Sequence, residues 1–124
     1  MTVRILVGDV RDRLAEIPDQ SVQCVVTSPP YYGLRDYGTA HFATFPPEIP
    51  RRCILAGSKP GDTIVDPFAG AGTTLLVADQ LGRDAIGVEL NPEYAAMIER
   101  RIATNAPMFA EVETVPVPVQ VSML

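Results

Sequence analysis

Two short segments of this 124-residue chain combine residue types and spacings that can do chemistry. The first is Val65-Asp-Pro-Phe-Ala-Gly-Ala-Gly-Thr-Thr74, with Glu89 following Gly70 by 19 residues. Glycines at 70 and 72, between an apolar run and a helical pattern, let a ligand approach the backbone closely. A carboxylate about 20 residues further on can accept from both hydroxyls of a ribose, so the set suits a nucleoside cofactor. The third glycine of a nicotinamide fingerprint is missing, and so is the Gly-Lys-Ser/Thr of a phosphate loop. Asp66 is a poor neighbour for pyrophosphate. It suits a cofactor carrying an amine or a positive sulfonium.

The second segment is Thr27-Ser-Pro-Pro-Tyr-Tyr-Gly33, after another apolar run. Pro29 and Pro30 stiffen the backbone and remove two amide donors, leaving carbonyls free to accept. A hydroxyl and a carbonyl can both accept from one amino group. Tyr31 offers an aromatic face for a planar ring. This set suits an exocyclic amine on a nucleobase.

The elements that must position these segments follow from patterning. Val3–Val7, Val22–Thr27, Thr63–Asp66 and Asp84–Glu89 read as strands. Val10–Ile17 after Asp9, Glu48–Ala56, Thr73–Leu81 before Gly82, and a segment from Pro92 to about Thr104 after Asn91 read as helices. Alternating strands and helices predict an α/β fold with a mostly parallel sheet of about four strands flanked by helices. In such sheets ligands bind beyond the carboxyl ends of the strands. Residues 106–124 alternate Val with Pro and polar residues and read as an extended tail.

Composition bounds the partners. Net charge is −5, which argues against tight nucleic-acid binding by this chain unaided. Two cysteines and one histidine make a metal site improbable, and none is expected. No apolar run is long enough for a membrane span, and Met1-Thr-Val-Arg-Ile-Leu6 lacks a signal-peptide pattern, so a cytoplasmic location is expected.

Taken together, Thr27–Gly33, Asp66–Thr74 and Gly87-Val-Glu-Leu-Asn91 resemble the amino-methylating DNA methyltransferases. The catalytic motif precedes the cofactor motif, as in the family's beta class, and His41-Phe-Ala-Thr-Phe-Pro-Pro47 resembles the segment before its cofactor loop. The resemblance runs from about Ile5 to Ile102. It implies a Rossmann-like S-adenosylmethionine-dependent core over 1–105. The expected activity is methyl transfer to N4 of cytosine or N6 of adenine in a flipped base. By the same resemblance Asp9, Thr44, Phe45, Asp66, Phe68, Gly70, Gly72, Thr73, Glu89 and Asn91 would serve the cofactor. Ser28, Pro29, Pro30 and Tyr31 would form the catalytic pocket.

The resemblance also implies a gap. The family carries further strands and its DNA-recognition region between the two motifs. Here only Thr39 and Ala40 stand between Asp36-Tyr-Gly38 and His41, as if by an internal deletion. The isolated chain is therefore expected to act weakly or not at all on DNA. The catalytic strand should lie beside the cofactor strand as a bare edge. That edge invites homodimerisation, strand exchange or a recognition subunit. Two alternatives stay open: a cofactor-binding remnant or split-enzyme subunit, and a methyltransferase for RNA or a small acceptor.

Overall fold

The computed structural model describes residues 2–28, 46–105 and 111–117. In chain order the elements are β1 (Thr2–Val7), α1 (Val10–Leu14), β2 (Cys24–Val25), α2 (Glu48–Gly57), β3 (Thr63–Asp66), α3 (Thr73–Gln80), β4 (Asp84–Glu89), α4 (Pro92–Asn105) and β5 (Glu111–Val115). The strands form one sheet in the order β2-β3-β4-β1-β5, and every neighbouring pair is parallel.

Parallel pairing explains the composition of the strands. Such strands are covered by helices, so they are built from near-continuous apolar runs. Val3, Ile5, Val7, Ile64 and Ala85 join Ile54 of α2, Leu75 of α3, and Ile98 and Ile102 of α4 in one core. Burying a side chain of this size contributes roughly 1.5–3 kcal/mol. Helix α3 lies deepest, buried from Thr73 to Asp79. It comes this close to the sheet because β4 has no side chain at Gly87. A Cβ there would stand 2.5 Å from Leu75 Cδ1 and 3.0 Å from the Ala69 Cβ.

The strands Thr63–Asp66 and Asp84–Glu89 form as the sequence predicts, and β2 lies beside β3, with Cys24 opposite Ile64 and Val25 opposite Val65. Four expectations need correction. The sheet has five strands rather than about four. Residues 111–115 are extended, as expected for 106–124, but they pair with β1, Thr2 opposite Glu111 through Leu6 opposite Val115. Pro116 does not prevent this because it follows the paired run. Strand β2 is two residues long, not Val22–Thr27, although the Gln23 and Val26 N–H groups still donate to Thr63 and Val65 carbonyls at 3.1 and 3.0 Å. Helix α1 stops at Leu14 rather than Ile17.

Candidate functional site

Because all strands run the same way, the residues after β1, β3 and β4 meet at one edge of the sheet. Val7 stands opposite Glu89, and Asp66 opposite Gly87. Two cross-strand bonds bind the loops there: the Gly8 N–H donates to the Glu89 carbonyl and the Ala69 N–H to the Val88 carbonyl, each at 2.9 Å.

Glu89 ties the site together. Its Oε2 accepts from the Gly70 N–H at 3.0 Å and its Oε1 from the Asn91 N–H at 3.2 Å. One carboxylate thus joins the glycine loop to the start of α4. Each oxygen keeps a lone pair for a further donor. Burial raises the Glu89 pKa from its ordinary value, against the pull of N–H bonds from Asn91, Gly70 and Leu90, and the charge of Asp66 adds to the rise.

Asp66 ends β3 and is 1% exposed. Its Oδ1 accepts from the Phe68 N–H at 3.0 Å. Burial raises its pKa, while the Thr27 hydroxyl and the Phe68 N–H act the other way. Thr27 immediately precedes Ser28, so the two sequence motifs meet at this carboxylate. Among the described residues no ion pair involves Asp66 or Glu89.

The loop between Asp66 and α3 is shaped from behind. Gly72 has φ +80°, and a Cβ there would stand 2.6 Å from Ile98 Cγ2. Only glycine satisfies both constraints. Gly72 is also the N-cap of α3, so no side-chain cap occupies the first N–H groups of the helix. Phe68 and Leu90, which follow β3 and β4, are 61% and 71% exposed and give the same edge apolar surface.

The other expected cofactor residues fare differently. The Asn91 side chain caps α4, its Oδ1 accepting from the Glu93 N–H at 2.8 Å. Thr73 is 3% exposed, and its hydroxyl accepts from Arg101. Asp9 does cap α1, with Oδ1 accepting from the Arg11 N–H at 2.8 Å. Arg11 then grips both oxygens of Asp9, and this side-chain pairing holds the carboxyl down at a pKa of about 2. Ser28 is half-buried just beyond β2. Pro29, Pro30, Tyr31, Thr44 and Phe45 lie outside the described residues.

One residue escaped the sequence reading. Arg101 Nη1 donates to the Ala71 carbonyl at 2.8 Å and to Thr73 Oγ1 at 3.0 Å. Its position on a charged helix gives no local sign of this contact across 30 residues of chain.

A sequence-family model described as DNA methylase matches residues 35–100. The chain is 50% identical over 66 residues to the type II methyltransferase M.SmaI of Serratia marcescens, covering 53% of this chain and 23% of that protein. It is 44% identical over 78 residues to the DNA adenine methyltransferase YhdJ of Escherichia coli K12, covering 63% of this chain and 26% of that protein. The matched region thus spans about a quarter of these relatives. In three dimensions the chain resembles TTHA0409 of Thermus thermophilus, a candidate DNA modification methylase crystallised with S-adenosyl-L-methionine. The TM-score is 0.76 at 23% identity, covering 90% of this chain and 99% of the other. That likeness shows a shared fold. No described helix is long and apolar enough to cross a membrane.

Proposed function

This chain belongs to the DNA methylase family of N6/N4 amino-methyltransferases, and from that premise we propose that it is an S-adenosylmethionine-binding methyltransferase core acting on an exocyclic amine of DNA. The observation that carries the reading is the pair Asp66 and Glu89. Two carboxyls stand at neighbouring strand ends, both partly desolvated and neither neutralised by a described cation. Such a pair favours a cationic ligand. S-adenosylmethionine is cationic at its sulfonium and amine, and when bound supplies the methyl group to be transferred.

The residues present fit that molecule. The free lone pairs of Glu89 suit the ribose diol, and the exposed faces of Phe68 and Leu90 suit its adenine. The uncapped, electropositive start of α3 suits its carboxylate, and Asp66 its amine. Gly70, Gly72 and Thr73 supply the backbone of this cradle, and Asn91 holds Glu89 in place through its N–H. Asp9, already paired with Arg11, would sit near the adenine without holding it, and Thr44 and Phe45 would approach the methionine end. Ser28, Pro29, Pro30 and Tyr31 form the proposed amine pocket. There the Ser28 hydroxyl and the Pro29 carbonyl accept from the amine of a flipped adenine or cytosine, which localises its lone pair.

We assign DNA reading to a partner, either a recognition subunit or a second copy of this chain. The short, exposed edge at β2 and the net charge of −5 favour this division. Calorimetric titration of the full chain with S-adenosylmethionine tests the cofactor reading, and one-to-one binding is expected. Radiolabelled methyl transfer to duplex DNA, RNA and free nucleosides tests the substrate, with slow transfer to DNA alone expected. Absence of binding heat overturns the cofactor assignment. Transfer to RNA or nucleosides but not to DNA overturns the substrate assignment.

A further inference from the structure

The glycine loop has to be held in one shape before it can recognise anything; β4 holds its first half through Ala69 and Gly70, and α4 holds its second. Ile98 and Arg101 are one turn apart on α4, so they share a face. Ile98 fills the space a side chain at position 72 would need. Arg101 Nη1 grips the residue on either side, through the Ala71 carbonyl at 2.8 Å and Thr73 Oγ1 at 3.0 Å. Residues 71, 72 and 73 are thereby fixed from one direction. Beside the grip lies a cleft of about 140 Å³ lined by Gly70, Ala71, Tyr94, Met97 and Arg101, room into which the loop could collapse if released.

The placement of a guanidinium here is unusual. A cation near a helix N-terminus opposes the helix dipole, so α3 alone would disfavour it. No side-chain cap fixes this end of α3, and Arg101 is a group that orients it through Thr73, alongside the Thr74 hydroxyl on Asp66. We propose that Arg101 is a positioning residue for cofactor binding, acting through the Ala71 carbonyl and the Thr73 hydroxyl to hold the glycine loop in its ligand-ready shape.

The inference rests on the cofactor reading, and its test separates the two. S-adenosylmethionine dissociation constants and urea midpoints are measured on the full chain for wild type, Arg101→Gln, Arg101→Lys, Thr73→Val, the double variant Arg101→Gln/Thr73→Val, and Arg100→Gln as an exposed neighbour. Arg101→Gln should weaken binding about tenfold, and Arg101→Lys should recover part of that loss. Thr73→Val should add little on top of Arg101→Gln, because both remove one contact. Arg100→Gln should bind like wild type. Equal affinities for wild type and Arg101→Gln overturn the inference. So does a loss of affinity in Arg101→Gln that the fall in folded fraction fully accounts for. Wild type without measurable binding overturns the cofactor reading itself, and this inference with it.

Discussion

The ends of β1 and β4 lie side by side, yet their carboxylates are treated in opposite ways. Asp9, after β1, is half-buried and gripped on both oxygens by Arg11. Glu89, ending β4, is half-buried, bonded to backbone N–H groups including those of Gly70 and Asn91, and faces the charge of Asp66, with no ion pair among the described residues. One carboxylate is satisfied by its own chain. The other, with Asp66, is left with negative charge that the fold does not balance. Uncompensated buried charge is a cost to stability, and such groups concentrate where a ligand supplies the missing partner.

The contrast can be tested by removing each group. Glu89→Ala should weaken S-adenosylmethionine binding most, about 100-fold, because hydrogen bonds to a charged group are lost together with a tie between two loops. A loss below about tenfold would place the ribose elsewhere. Asp66→Asn should weaken binding about tenfold while leaving the urea midpoint of the unliganded chain equal or higher. A clear fall in that midpoint would show Asp66 to be a structural ligand of Thr27 and Phe68 instead.

Acidity gives a finer comparison. A carboxyl whose folded-state pKa is raised contributes stability that is complete below its unfolded value and is lost as pH rises through the folded one. Asp66 and Glu89 are raised from 3.8 and 4.5, so the unliganded chain should lose stability as pH climbs above those values. Affinity for a cationic ligand should rise over the same interval, as both groups ionise. Urea midpoints and titrations from about pH 4.5 to 7.5 would show the two slopes crossing, and parallel slopes would break the argument. Asp9 has the opposite sign: its contribution is present above 3.8 and fades as pH falls toward about 2. The smallest effect belongs to Asp9→Asn, which should change S-adenosylmethionine affinity less than about twofold. A larger loss would mean that Arg11 gives up its carboxylate to the ligand.

Much of this edge was legible in the sequence because it is local. The β-branched runs of β3 and β4 sit between turn clusters, and the glycine loop and Glu89 have a spacing that a ribose explains. The less legible parts depend on contacts far apart in the chain. Strand β5 is polar and carries a following proline, and it becomes a strand only through its register with β1. The Arg101 side chain reads as helix surface until the loop 30 residues earlier comes under it. The Asp9–Arg11 pair was local and could have been read from spacing. The expected role for Asp9 came from resemblance instead, and resemblance does not report which carboxylate already has a partner.

The place of β1 between β4 and β5 bears on how the chain reaches this structure. The Thr2 N–H bonds to the Asp84 side chain 82 residues away, and Arg13 to the Val115 carbonyl 102 residues away. Among the described residues β1 therefore has no sheet partner until the segment from Asp84 onward has been made. Loop-closure entropy of this size slows folding. In that interval Val3, Ile5 and Val7 stand unpaired, an apolar ribbon open to other nascent chains. Folding yield should depend on chain concentration and on the speed of translation, set by the same topology that gathers the carboxylates at one edge.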